Sequence, residues 1–171
     1  MANGSVQVYY GEGRGKTTAA YGTALRAAND GKTVYIIQFM KDREIIDNNI
    51  FKRLEPEIKF FRFEKNEKNY DSLTDEEKRE ECINMKNGIN FARKVLVTRE
   101  CNVLILDEML GLLDTGVVST EDLESVLNAM PEDATVVLTG RYLTDEIRAH
   151  ADEIYNIEEE KLWKNPRLME S

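Results

Sequence analysis

Apolar residues along the chain alternate between short, near-continuous runs and longer stretches with helical spacing. Residues 6–10, Val-Gln-Val-Tyr-Tyr, form a β-branched and aromatic run that stops at Gly11-Glu12-Gly13-Arg14-Gly15. That pattern predicts a buried strand entering a tight glycine loop. From Lys16 to about Ala28, small and apolar residues (Ala20, Tyr21, Ala24, Leu25) recur at helical spacing, and Asp30-Gly31 supplies a stop. Residues 33–39 read as a second strand with the continuous apolar character of a parallel sheet covered on both faces. Charged residues then scatter through 40–70, with a short strand expected at 58–63.

Thr74-Asp75-Glu76-Glu77 has capping-box spacing, and the segment to about Thr98 places Cys82, Met85, Ile89, Ala92 and Leu96 on one stripe, so a long surface helix is expected. Residues 102–108 read as a third buried strand ending in Asp107 and Glu108, and that strand should lie beside the first. A helix from Ser119 to about Met130, a strand at 135–139, a short helix at 144–149 and a last strand at 153–157 complete the pattern. Strands alternating with helices predict an α/β fold, an open, mostly parallel sheet flanked by helices with ligands at its C-terminal edge. One domain over residues 1–171 is expected, with a mobile tail from about residue 160.

Composition narrows the function. The formal net charge is -9 at pH 7, the wrong sign for tracking a phosphate backbone, so nucleic acid is not an expected partner. Cys82 and Cys101, with the single His150, offer no structural zinc spacing and no disulfide framework; both thiols are expected to be inert. His150 is expected to be an exposed helix-end residue without a role, because nothing near it in sequence would orient it. The chain shows neither a signal-like start nor an apolar run long enough to span a bilayer, and a cytoplasmic protein without membrane contact is expected.

The loop carries the chemistry. Gly11, Glu12, Gly13, Arg14, Gly15, Lys16, Thr17 and Thr18 stand between a strand and a helix, where glycine dihedrals let backbone N–H groups converge on an anion. The helix N-terminus adds partial positive charge, Lys16 a full one, and the Thr17 hydroxyl is placed for a magnesium ion. Counting back from Gly15, the first glycine of the usual nucleotide loop falls on Tyr10, so this loop is one residue short. A dinucleotide fingerprint fails, since its third glycine position is Lys16. Asp107 and Glu108 either hold that metal, directly or through water, or merely cap a buried strand. With the loop they make a candidate ATP–magnesium site in a P-loop NTPase-like, RecA-like domain. Arg141 either reaches a phosphate from the same sheet edge or is a surface arginine, and Arg26, Gln38 and Lys41 are candidate secondary contacts.

These segments together resemble the P-loop type ATP:corrinoid adenosyltransferases. The likeness runs through the short loop with Lys16-Thr17-Thr18-Ala19-Ala20, then Arg26-Ala27, Gln38-Phe39-x-Lys41, Leu106-Asp107-Glu108, Thr139-Gly140-Arg141 and Ala151-Asp152. The resemblance implies attack of cobalt(I) on the 5′ carbon of ATP with release of triphosphate, stabilised by Lys16, Arg14, Arg141 and the loop amides. It implies Thr17 and Glu108 as contacts to magnesium or manganese, Arg26 as a nucleotide contact, an external flavoprotein reductant and a homodimer. Where the family carries an aromatic segment over the corrin, this chain has residues 59–64, Lys-Phe-Phe-Arg-Phe-Glu, so Phe61, Phe63 and Tyr70 are the candidate corrinoid contacts, with core packing the competing role for at least one of the phenylalanines because strand residues alternate faces. The family's C-terminal motif is replaced by residues 160–165, Glu-Lys-Leu-Trp-Lys-Asn. The alternative reading is a divergent ATP-binding or regulatory module without corrinoid alkylation; a thymidine-kinase-like enzyme ranks lower, since two cysteines cannot build that family's zinc lobe.

Overall fold

The computed structural model describes residues 4–39, 49–63 and 70–161. Its strands are β1 (Ser5–Tyr10), β2 (Val34–Gln38), β3 (Ile58–Arg62), β4 (Val103–Asp107), β5 (Thr135–Gly140) and β6 (Glu153–Asn156). They form one sheet in the order β3-β2-β4-β5-β1-β6, and every pairing is parallel. The helices are α1 (Lys16–Asn29), α2 (Asn49–Lys52), α3 (Asp75–Val97), α4 (Met109–Asp114), α5 (Thr120–Asn128) and α6 (Asp145–His150), with a 3-10 turn at Tyr70–Ser72.

Strand alternation divides the core into two layers. Val34, Ile36, Val103, Ile105 and Val137 face α1, whose Ala20, Ala24 and Ala27 form a small-residue stripe against the sheet. Val8, Ile37, Leu104, Leu106, Val136 and Leu138 point the other way, into a larger core with Met85, Ile89, Ala92 and Leu96 of α3 and residues of α4 and α5. Coverage on both faces explains why the central strands read as unbroken apolar runs. Thr74 caps α3 and Ser119 caps α5; each side chain accepts from the third helical residue's N–H, and the acid at that position reaches back to the cap's own N–H.

Two expectations need correction. β4 does not lie beside β1: β5 stands between them, pairing Val8 with Leu138 on one side and Leu104 with Val136 on the other. Crossover connections let chain order and spatial order differ, so adjacency was not readable from the run of apolar residues. The second concerns Glu108, which does not end the strand; the backbone turns left-handed there (φ 60°, ψ 21°) and α4 starts at once. α4 runs past the end of β5 so closely that a Cβ on Gly140 would fall 2.3 Å from Leu110 Cβ. The expected mobile tail from about residue 160 lies, beyond Lys161, outside the described residues.

Candidate active site

The glycine loop is tied down from two directions. Gly11 N–H donates to the Arg141 carbonyl at 3.1 Å, just past β5, and Gly13 N–H to the Ile157 carbonyl at 2.8 Å, just past β6. Gly11 adopts φ 121°, and a Cβ there would sit 2.3 Å from Ile157 O; at Gly13 it would sit 2.8 Å from the same oxygen. Glycine is therefore demanded here by contact as well as by conformation. Gly15, in the left-handed region at φ 106°, precedes α1 without a side-chain cap, so the first-turn N–H groups of the helix are not claimed by a capping residue. The Lys16 ammonium folds back onto the loop and donates to Gly13 O at 2.7 Å. Thr18, one position beyond Thr17, is exposed.

Across β5, the Asp107 carboxylate ends β4 with 1% of its surface exposed. Four donors meet it. Thr17 Oγ1 (2.9 Å) and Thr139 Oγ1 (2.7 Å) donate to Oδ1, while Tyr21 OH (3.2 Å) and Gln38 Nε2 (3.2 Å) donate to Oδ2. A buried charge with this many donors is compensated, and the donors are in turn oriented by it. Gln38 Oε1 accepts from Arg62 Nη2 (2.8 Å) and Nε (3.1 Å). Thr139 Oγ1 also accepts from the Glu108 N–H at 2.9 Å, so the carboxylate is linked to the left-handed turn. Burial, and then the adjacent Asp107 charge, push the Tyr21 phenol far above the ordinary tyrosine range, which keeps it a donor.

Thr17 and Asp107 thus bring two hard oxygen groups together at the head of α1, with Glu108 next in chain. Among the described residues no group of three or more His, Cys, Asp or Glu could hold a metal. The donor set fits magnesium, which keeps several waters and binds through one or two protein oxygens and substrate phosphates rather than an all-protein cage.

The basic residues occupy the loop's outer side. Arg141 Nε lies 3.4 Å from Glu12 Oε2, with side chains 61% and 64% exposed, and Arg14 Nε lies 3.9 Å from Glu159 Oε1. Pairs this open contribute little to stability and are free to exchange for an anionic ligand. Arg26 is apart from this cluster: it is exposed, ten positions along α1 from Lys16, which is about 15 Å of helix. Lys41 lies outside the described residues. Phe61 and Phe63 pack against Phe91 of α3 at ring separations of 4.8 and 5.6 Å, and Phe61 also meets Tyr35 at 5.2 Å. Both remain partly exposed. Tyr70 is also partly exposed, with its hydroxyl 3.7 Å from Cys82 Sγ.

Three residues of the network escaped sequence reasoning. Tyr21 read as an apolar helix position, though its place one turn after Thr17 put it on the same helix face. Thr139 counts in the sequence only as part of the Thr139-Gly140-Arg141 segment, and Arg62 reads as a strand residue; neither has a role there. His150 needs correction: it is half-buried, with Nε2 3.0 Å from Glu124 Oε1 of α5, a partner that the fold supplies from 26 positions away. Cys101 is buried, and burial pushes its thiol up to about 12, in keeping with an inert group.

Comparison with known proteins places the chain among relatives of one kind. The family described as ATP:corrinoid adenosyltransferase BtuR/CobO/CobP matches residues 2–164. The corrinoid adenosyltransferase of Escherichia coli strain K12 is 30% identical over 151 residues, covering 88% of this chain and 74% of that protein. Corrinoid adenosyltransferase CobA of Salmonella typhimurium gives the same identity and coverage. Among solved structures, a KaiC-like protein from Pyrococcus horikoshii OT3 superposes with a TM-score of 0.60 at 14% identity, over 95% of this chain and 76% of that one, a likeness of fold alone. These matches lend no support to the regulatory-module alternative. With a short glycine loop facing a buried carboxylate and with matches that span nearly its whole length, the chain belongs to the ATP:corrinoid adenosyltransferase family, enzymes that transfer the adenosyl group of ATP to the cobalt of corrinoids.

Proposed function

We propose how this chain's residues divide that reaction between them. Lys16, Arg14, Arg141 and the N–H groups of the loop and first turn of α1 receive the triphosphate of ATP, with Glu12, Gly11, Gly13, Gly15 and Thr18 shaping the cradle. The observation that carries this reading is the Thr17 hydroxyl 2.9 Å from the buried Asp107 carboxylate at the head of the loop helix. Thr17 and Glu108 hold magnesium, or manganese in its place, with Asp107 behind them. When bound, the ion neutralises charge on the phosphate oxygens. Arg26 and Lys41 are assigned as outer contacts to nucleotide, and Gln38, whose amide is engaged by Asp107 and Arg62, stands behind the site with Asp107.

In the transfer, the cobalt(I) electron pair forms the Co–C bond to C5′, and the C5′–O bond breaks with its pair going to triphosphate. Charge grows on the leaving oxygen, so the cations and amides around it lower the barrier because they bind that oxygen more strongly in the transition state. No protein nucleophile takes part. Phe61, Phe63 and Tyr70, three partly exposed aromatics on the α3 side of the sheet, are assigned to the corrinoid. An external flavoprotein supplies the electron that reduces the corrinoid's cobalt to cobalt(I), and the enzyme works as a homodimer in the cytoplasm.

The deciding experiment mixes protein, ATP, magnesium and chemically reduced cob(I)alamin without oxygen, follows the corrinoid spectrum and assays triphosphate. Equal, protein-dependent yields of adenosylcobalamin and triphosphate are expected. Orthophosphate without a change at cobalt would overturn the assignment.

A further inference from the structure

We propose that Tyr21, Gln38 and Arg62 are positioning residues for the adenosyl transfer: they fix the Asp107 carboxylate, which in turn fixes the Thr17 hydroxyl and the turn at Glu108. The proposal rests on the reading above, in which Thr17 and Glu108 meet the metal–ATP complex. Both oxygens of Asp107 are occupied by protein donors, which suits a group that orients others better than one that binds an ion itself. Oδ2 is held by Tyr21 and Gln38, so the carboxylate plane is set and Oδ1 is left to the two threonines.

Each holder is itself held. A glutamine amide can turn over and present oxygen to the carboxylate, but two Arg62 N–H groups on Gln38 Oε1 keep the Nε2 side toward Asp107. The Tyr21 ring stands edge-on to Phe51, with centroids 5.5 Å apart, which holds its hydroxyl against Asp107. Gln38 and Arg62 close β2 and β3, and Asp107 closes β4, so the chain of hydrogen bonds runs along the sheet's carboxyl edge to α1. In a buried network each bond polarises the next, and losing one member frees the rest to rearrange.

The test compares Tyr21→Phe, Arg62→Ala, Arg62→Lys and Thr17→Ala in the full chain. Calorimetry measures ATP binding across a magnesium titration, alongside kcat and KM for ATP and for cob(I)alamin. Loss of an outer partner of a metal site typically costs 10- to 100-fold in metal affinity, so Tyr21→Phe and Arg62→Ala should each raise half-saturating magnesium by about 10-fold or more. KM for cob(I)alamin should not change, and Arg62→Lys should recover part of the loss. Combined, Tyr21→Phe and Arg62→Ala should cost less than the product of their separate effects, since both act through one carboxylate. Lower melting temperatures with wild-type magnesium dependence in Tyr21→Phe and Arg62→Ala would overturn the proposal in favour of a purely structural network. Tyr21→Phe, isosteric except for the hydroxyl, decides the matter if Arg62→Ala does not fold. Thr17→Ala separates the two failures. Wild-type magnesium dependence there defeats the metal reading itself and the proposal with it. Loss there beside wild-type behaviour in the other variants defeats the positioning alone.

Discussion

Lys16 is half-buried and bends three residues back along the chain to the Gly13 carbonyl, a contact that water can replace at little cost. Its value lies with the substrate, where a positive charge opposes a polyanionic leaving group. Lys16→Ala should therefore lower kcat by roughly 100-fold or more while shifting the melting temperature little; full activity in that variant would remove the loop from the mechanism. Gly13 presents the opposite case. An added methyl group would meet only backbone, Ile157 O and Glu158 C at 2.8 Å, with no flexible side chain to yield. Gly13→Ala is expected to cost about 1–3 kcal/mol in chemical denaturation, as overpacked sites do, and to weaken ATP binding by displacing the loop.

At the scale of elements, caps and small residues set the geometry that the site inherits. The Thr74 box secures the first turn of α3, and three turns on, a Cβ at Gly88 would lie 2.7 Å from Phe39 Cε1 and 3.0 Å from Phe63 Cγ. α3 can approach the sheet edge this closely only because that position carries no side chain, and Phe63 takes its place from that approach. Thr74→Ala should reduce stability by about 1 kcal/mol and speed amide exchange in the first turn of α3 without changing kcat. A loss of activity out of proportion to stability would mean that the helix start does more than fold.

Over the whole molecule, alkaline pH should expose the cost of burying proton-bearing groups. The Cys101 thiol is raised from 9.0 to about 12, and the Tyr21 phenol is raised above its ordinary 10.0, both chiefly by burial. Each group keeps its proton in the folded chain and releases it sooner in the unfolded one, so between these limits the folded state binds more protons. Stability from this source is complete below about pH 9 and falls as pH rises toward about pH 12, by up to about 1.4 kcal/mol per pH unit for each group. Urea midpoints measured from about pH 8 to about pH 11 should fall, and Cys101→Ala should flatten the slope. A level profile would show that neither group titrates late.

Much of this protein was legible in one dimension. The glycine loop, the helix that follows it, the apolar strands and the two capping boxes are set by neighbouring residues, because glycine dihedrals, hydrophobic period and cap chemistry act over a few positions. The loop's departure from the usual nucleotide pattern, with the Gln38, Asp107 and Arg141 segments, was enough to point to the family. Tertiary structure alone decided that β5 separates β1 from β4, that Glu108 turns left-handed into α4, and that Asp107 gathers Thr17, Tyr21, Gln38 and Thr139 around itself. Those partners stand 32 to 90 positions from Asp107 in the chain. Their meeting is fixed by crossover topology and by the need to compensate a buried charge, and neither leaves a local mark on the sequence.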